Sequence, residues 1–266
     1  MARRSSGRVL PTLDEEQALW AGGCHSVAGL DEAGRGAWAG PVVAAAVVLP
    51  TDPDVARRLA GVADSKQLTA RQRDTLFEVV RAEAAGSGVG IVSSSDIDTL
   101  GIAEATRLAM QAAVQDLAVA PDFLLIDYIR LPALSIRQHS LPKGDSLVLS
   151  IAAASIVAKV TRDRLMAELA HDFPGYGLER HKGYGTADHR AALLSKGPCP
   201  IHRRSFRPVS GMQLRLPCLE SPDKSGSPHT QVQDSWTCPG VFMDSRAASA
   251  RASDWKGDVP MGGGPS

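Results

Sequence analysis

Four carboxylates stand where a chain could use them for chemistry. Asp31 and Glu32 are adjacent. They close the apolar run Val27–Leu30 and open a glycine-rich stretch, Gly34-Arg35-Gly36-Ala37-Trp38-Ala39-Gly40-Pro41. Asp127 terminates the apolar run Leu124-Leu125-Ile126. Asp145 follows eighteen residues later in Lys143-Gly144-Asp145-Ser146. Each acid alone has an ordinary use, as a solvated turn, a strand-to-loop residue or a helix N-terminal partner. Together, on short loops after hydrophobic elements, they suit a hard divalent cation such as Mg²⁺, which favours oxygen ligands and keeps several waters. Zinc chemistry is not indicated. Cys24, Cys199, Cys218 and Cys238 form no Cys-x-x-Cys pair, and His181 and His189 are too loosely spaced to count as a ligand pair.

Other phosphate and nucleophile signatures are missing. Gly34-Arg35-Gly36 is not followed by Gly-Lys-Ser/Thr, so it is not a P-loop. It lacks the third glycine of a dinucleotide fingerprint, and there is no Gly-x-Ser-x-Gly elbow. Cations gather elsewhere. Lys66 lies in Asp64-Ser65-Lys66-Gln67-Leu68-Thr69. Arg180, His181 and Lys182 precede Gly183-Tyr184-Gly185-Thr186. His202, Arg203, Arg204, Phe206 and Arg207 form a third group. Cations in loops with an aromatic among them are what a nucleic-acid backbone and sugar require.

The elements that must position these residues alternate between strand and helix. Val27–Leu30, Val42–Leu49, Gly88–Ser93 and Phe123–Asp127 read as strands. Thr69–Ala84, Ile102–Leu117, Leu149–Leu169 and Thr186–Leu194 read as helices, the first with a capping box of Thr69 and Gln72. A short helix is expected around Leu13–Trp20. The alternation predicts an α/β fold with a mixed sheet. In a strand, neighbouring side chains point to opposite faces, so Asp31 and Glu32 share one site only if the strand ends or bulges there. Asp163 reads as a surface partner of Arg162 or of a neighbouring helix.

Composition bounds the class. The chain has 266 residues, with 29 Lys+Arg against 29 Asp+Glu, 44% apolar and 22% charged. Global disorder would need low hydrophobicity and high net charge. The longest apolar run, Val42–Leu49, is eight residues, against the ~18–20 that span a bilayer. The basic N-terminus lacks an apolar signal core, so a cytoplasmic location with reduced cysteines is expected. Zero net charge excludes a polycationic coat for nucleic acid but leaves room for a local basic groove. From Gly211 to Ser266, 21 of 56 residues are Gly, Pro or Ser, as in a linker. The expected organisation is a lead-in at 1–20, a catalytic domain at 21–209 and a disordered extension at 210–266.

In combination the motifs closely resemble bacterial ribonuclease HII, the type 2 ribonuclease H family. The matching stretches are Gly29–Pro41, Asp64–Thr69, Lys143–Ser146, Ser150–Arg164, His181–Thr186 and His202–Phe206, in the family's order. One departure stands out: the strand-end acid of the family is often followed by glycine, and here Tyr128 follows Asp127. The resemblance implies the ribonuclease H-like fold, a mixed central sheet flanked by helices, with a small C-terminal helical part. It implies a metal-dependent endonuclease that hydrolyses the RNA strand of RNA–DNA hybrids. It would also nick 5′ of ribonucleotides embedded in duplex DNA, leaving 5′-phosphate and 3′-hydroxyl ends, in ribonucleotide removal and genome maintenance. The family's catalytic, metal-holding acids fall on Asp31, Glu32, Asp127 and Asp145, with Mn²⁺ or Mg²⁺ in a two-metal site. Its substrate contacts fall on Gly34, Arg35, Gly36, Lys66 and Tyr184, and Lys143 would offset phosphate charge. The expected partners are RNA–DNA hybrid and ribonucleotide-containing duplex DNA, with no membrane, and the protein is expected to act as a monomer. A non-catalytic hybrid-binding protein and a DNA-junction nuclease are the competing readings. The intact acid set argues against the first, and the Gly-Arg-Gly and Gly-Tyr-Gly-Thr loops against the second.

Overall fold

The apolar runs on either side of the glycine-rich stretch pair with each other. In the computed structural model, which describes residues 10–213, helix α1 (Asp14–Ala21) leads into strand β1 (Val27–Ala33), and β2 (Val42–Val48) returns antiparallel to it. Every residue of β2 is buried, the reason its sequence is uninterruptedly apolar rather than alternating. A short helix α2 (Val55–Arg58), a 3₁₀ turn at Ser65–Gln67 and helix α3 (Ala70–Glu83) lead to β3 (Gly86–Val92), antiparallel to β2. Helices α4 (Ser94–Leu100) and α5 (Ile102–Gln115) return the chain to β4 (Phe123–Asp127), parallel to β1, and β5 (Arg137–Leu141) adds a second parallel pair at the edge. The sheet order is β3-β2-β1-β4-β5, a mixed sheet as the alternation predicts. The rest is helical: α6 (Gly144–Leu147), α7 (Leu149–Asp172), α8 (Leu178–His181), α9 (Ala187–Lys196) and α10 (Arg207–Gln213).

Each sheet face has its own cover. Ala33, Ala45 and Val47 pack with Leu149, Ala152, Ala153 and Ile156 of α7 and with Phe77 and Val80 of α3. Ala28, Leu30, Ala44 and Ala46 pack with Ala105, Ala109, Met110 and Ala113 of α5. α7 carries no polar stripe because it is covered nearly all round over its first ten residues. The Thr69 capping box forms as read: the Thr69 side chain accepts from Gln72 N–H, and the Gln72 side chain accepts from Thr69 N–H. The lead-in is docked rather than loose. Leu13 enters the core, Thr12 exchanges backbone hydrogen bonds with Leu147 and Leu149, and buried Glu16 Oε1 accepts from Ser150 N–H at 2.8 Å, closing the first turn of α7.

Three differences from the sequence reading have local causes. β5 has the sequence Arg-Gln-His-Ser-Leu, half exposed at the sheet edge, so it carries no apolar signal. Helices α2, α4 and α8, at four to seven residues, are too short to show a helical period. α10 runs through residue 210, where the extension was expected to begin. The expected disorder of the extension, including any docking of Trp236, Phe242 or Trp255, lies otherwise outside the described residues. Among the described residues no helix is long and apolar enough to cross a membrane.

β3 touches α5 through glycine. A Cβ at Gly90 would overlap the Ala109 carbonyl, and one at Gly88 the Ala113 carbonyl. Gly90→Ala is expected to destabilise the protein by about 1–3 kcal/mol through overpacking. Chemical denaturation should read this as a lower midpoint with an unchanged slope.

Candidate active site

The site forms where β1 outruns its neighbour. β1 and β4 pair only as far as Leu30 and Ile126, which brings Asp31 level with Asp127 at the last residue of β4. Beyond that point the β4 edge of β1 is open. Asp31, nearly fully buried, is followed by Glu32, whose backbone N–H donates to Asp31 Oδ1 at 2.7 Å. A hydrogen bond from Ser155 of α7 also reaches Asp31, and Ser155 Oγ in turn lies 2.8 Å from Ser65 Oγ. The end of β4, rather than an end or bulge of β1 itself, lets both acids serve one site.

Asp127 is fixed by its link to the next acid: its Oδ1 accepts from Gly144 N–H at 2.8 Å, beside Asp145 in α6. Asp145 is buried, and its Oδ2 accepts from Lys66 Nζ at 3.1 Å. Lys66 reaches there because Asp64 caps the 3₁₀ turn, accepting from Lys66 N–H. The structure therefore brings Asp31, Glu32, Asp127, Asp145 and Lys66 into one electrostatic group. Lys143 stands exposed at the N-terminus of α6 with a left-handed backbone, φ 61°. Tyr128, after Asp127, also has φ 61° and is exposed. Glycine takes that backbone without strain, which gives the physical reason for a glycine at this place in the family.

The acids repel and are poorly hydrated. Burial raises the pKa of Asp31 well above the carboxylate range, and Glu32 and Asp127 push it further. Burial likewise raises Glu32, against the pull of Arg35, whose Nη1 lies 3.7 Å from Glu32 Oε1. Burial also raises Asp127, against its bond from Gly144. Burial opposes charging Lys66, but the bond to Asp145 together with the charges of Asp145, Asp31 and Asp64 outweighs it and holds the pKa above the ordinary lysine value. Glu32 Oε2 is buried with no hydrogen-bond partner. An orphaned carboxylate oxygen among four acids fits a divalent cation, whose charge relieves the repulsion and whose coordination satisfies the oxygen. Among the described residues no three His, Cys, Asp or Glu already stand so as to hold a metal ion. The fit thus rests on donor chemistry and on the orphaned oxygen, not on a closed cage.

The two loops read as substrate contacts are tied together. Arg162 of α7, fully buried, donates from Nε to Pro41 O at 2.9 Å, from Nη1 to Lys182 O at 2.9 Å and from Nη2 to Ala39 O at 3.1 Å. Gly34, φ 88°, lies so close that a Cβ there would overlap Arg162. Gly36 faces open space, and Arg35 is half exposed. Arg203, also fully buried, donates to Gly40 O at 3.0 Å and to Arg35 O at 2.9 Å. The Tyr184 ring lies beside Lys159 Nζ and the Arg162 guanidinium, each 5.3 Å from its centroid. Trp38 N–H donates to Gly183 O at 2.8 Å, joining the Gly34–Gly36 loop to the Tyr184 loop.

Two readings are corrected. Of the two partners read for Asp163, Arg162 is corrected and the neighbouring helix holds: Asp163 pairs with Arg73 of α3 at 3.7 Å, and with Lys159 of its own helix at 2.7 Å. His202 and Arg203 do not face a phosphate backbone, because both are buried in the fold. Ser155, Arg162 and Arg203 organise the site and were passed over as functional residues. For Ser155 the available signal was its place among the ten residues of α7 that are covered all round, whereas Arg162 and Arg203 stand among other charged residues and gave none.

Since Asp31 is strained by its own charge, Asp31→Asn should stabilise the metal-free protein near neutral pH, each kcal/mol relieved raising Tm by about 2–4 °C. The sign follows from linkage: a raised carboxyl pKa burdens the fold only once pH exceeds the unfolded value, so the gain should shrink as pH falls. Adding Mg²⁺ or Mn²⁺ should raise Tm of the wild type more than that of Asp31→Asn.

Comparison with known proteins places this arrangement. A family model described as Ribonuclease HII matches residues 28–209. A ribonuclease HII of Chloroflexus aurantiacus is 56% identical over 211 residues, 78% of this chain and 99% of the relative. That of Herpetosiphon aurantiacus is 54% identical over 202 residues, 74% of this chain and 96% of the relative. The crystal structure of the ribonuclease H2 from Pyrococcus horikoshii is similar at a TM-score of 0.61 and 29% identity, covering 71% of this chain and 98% of that one. The RNase HII of Archaeoglobus fulgidus, solved in a complex with PCNA, is similar at 0.59 and 29%, covering 70% of this chain and 96% of that one.

Proposed function

The chain belongs to the ribonuclease HII family and is an endoribonuclease acting on RNA–DNA hybrids, and from that premise we propose a metal-dependent site built from Asp31, Glu32, Asp127 and Asp145. The observation that carries this is the buried acid group at the open edge of β1, with the orphaned Glu32 oxygen and the Lys66–Asp145 bond. These acids would hold Mg²⁺ or Mn²⁺, which when bound would supply activation of the attacking water and charge for the leaving 3′-oxygen, giving 5′-phosphate and 3′-hydroxyl ends.

The chain's own groups do the rest. Lys66, kept charged by its acid neighbours, offsets the scissile phosphate, and exposed Lys143 meets phosphate at the rim. Gly34, Arg35 and Gly36 bring backbone close to the sugar and read the 2′-hydroxyl, the one group that separates RNA from DNA at a single position. Open space at Gly36 supports this close approach. The Tyr184 ring stacks under the adjacent deoxyribose, where a further 2′-hydroxyl fits less well. The enzyme thereby nicks 5′ of single ribonucleotides in duplex DNA as well as cleaving hybrids, a role in ribonucleotide removal. It acts as a monomer in the cytoplasm, with residues 21–209 as the catalytic unit and 210–266 as an extension.

Divalent-cation-dependent nicking of a duplex holding one ribonucleotide tests the proposal. Asp31→Asn should lose cleavage by at least about 10²-fold, the scale of a lost transition-state charge contact, with hybrid binding retained. Wild-type turnover by this variant would remove Asp31 from the site. Tyr184→Ala should lose activity most on the single-ribonucleotide duplex, and an equal loss on RNA–DNA hybrid would argue against junction reading.

A further inference from the structure

Behind the Tyr184 loop lies a row of imidazoles that the reaction does not use. His181 and His189 stack at 4.4 Å with an interplanar angle of 15°. His189 Nε2 and His202 Nε2 are 3.0 Å apart, and both rings are buried. The two ends of this pair differ in what they fix. His202 Nδ1 lies 3.0 Å from Cys199 N, 3.1 Å from Cys199 Sγ and 3.3 Å from Cys199 O, so it can accept from the amide or donate to the carbonyl, and this end leaves the tautomer open. Tyr184 O, a carbonyl, accepts from His189 Nδ1 at 3.0 Å, so that ring carries its proton on Nδ1 and accepts at Nε2. With both rings kept neutral by burial, the Tyr184 end requires the middle bond to run from His202 Nε2–H to His189 Nε2 and so leaves each ring one tautomer.

The relay ends on the residue read above as the junction sensor. Tyr184 O also accepts from Thr186 N–H at 2.8 Å, and Trp38 packs on His189 with centroids 5.5 Å apart. A Cβ at Gly185 would overlap Trp38, so the loop has little freedom to find another seat. We propose that His189 and His202 are positioning residues: a neutral, tautomer-locked pair that pins the Tyr184 backbone and so sets the ring that distinguishes a single ribonucleotide from a longer RNA run. This rests on the substrate-reading role given to Tyr184. The titratable and charged groups facing the pair are His181 from α8, Tyr176 before it, and Cys199 and Arg204 after α9. None of these is a carboxylate that would welcome an imidazolium. Burial and then His189 lower His202 to about 4, burial lowers His189, and burial pushes the Cys199 thiol up to about 11. A proton added at His189 Nε2 sets donor against donor between the two Nε2 atoms.

The test uses the full-length chain. Nitrogen-15 correlation spectra at neutral pH should show His202 protonated on Nε2 and His189 on Nδ1. The opposite tautomers, or an imidazolium, would overturn the inference. The second measurement is kcat/KM on a one-ribonucleotide duplex divided by that on an RNA–DNA hybrid. Gln at position 202 keeps a donor at the ε position, whereas Asn keeps only the δ acceptor. His202→Asn should lower the ratio roughly fivefold, one net hydrogen bond of about 1 kcal/mol, while His202→Gln stays within about twofold of wild type. A purely structural role would instead depress Tm and both substrates together. Tyr184→Ala is run beside them: if it leaves the ratio at wild type, the reading of Tyr184 fails and takes the inference with it. If Tyr184→Ala lowers the ratio and His202→Asn does not, the inference alone is overturned. Should His202→Asn not fold, the wild-type ratio against pH decides. It should hold through the ordinary histidine range and fall only as pH nears about 4, and a fall centred at the ordinary histidine value, or no fall below pH 4, overturns the inference.

Discussion

One buried guanidinium orders the two loops read as substrate contacts. Arg162 spends three donors on the carbonyls of Ala39, Pro41 and Lys182, from two loops far apart in sequence. Lysine could not replace it, because a single ammonium cannot fork toward three acceptors in fixed directions. Burial makes the charged form harder to hold and lowers its pKa, so the carbonyl dipoles are structurally required rather than ornamental. Gly34 has to lack a side chain so that this guanidinium fits, which ties the glycine-rich loop to α7.

The acid site is organised on the opposite principle. Arg162 is over-supplied with partners, whereas the four carboxylates are under-supplied: Lys66 satisfies Asp145, Gly144 N–H satisfies Asp127, and Glu32 Oε2 is left with nothing. The same fold thus holds a cation with every nitrogen bonded and an anionic group with one oxygen left over. The zero net charge of the whole chain averages over these two arrangements.

What the residues disclosed depended on how local the cause was. The Thr69 capping box and the Phe123–Asp127 strand were legible because a few neighbouring residues determine them. The four acids were legible as a group because motifs, in order, reported them. β5 was not, since a half-exposed edge strand of Arg-Gln-His-Ser-Leu is held by its neighbour rather than by its own pattern. Arg162, His202 and Arg203 were misjudged for one reason: a charge beside other charges reads as surface, and only the packed α7 and the loops over it reveal burial. The contacts of the buried imidazoles lay further out of reach, because the fold alone brings His189 against Tyr184 O and His202.

The clamp on the Gly34–Gly36 loop has a consequence for the newborn chain. Arg203 donates to the carbonyl of Arg35 across 168 positions of sequence. At roughly 5–20 residues per second, synthesis separates the two by about 8–34 seconds. During that interval the glycine-rich loop has left the ribosome without its fastener, while the hairpin of β1 and β2 can already pair. A nascent chain therefore carries its first two acids well before the Gly34–Gly36 loop gains this bond. Among the described residues, that fastener arrives just ahead of α10.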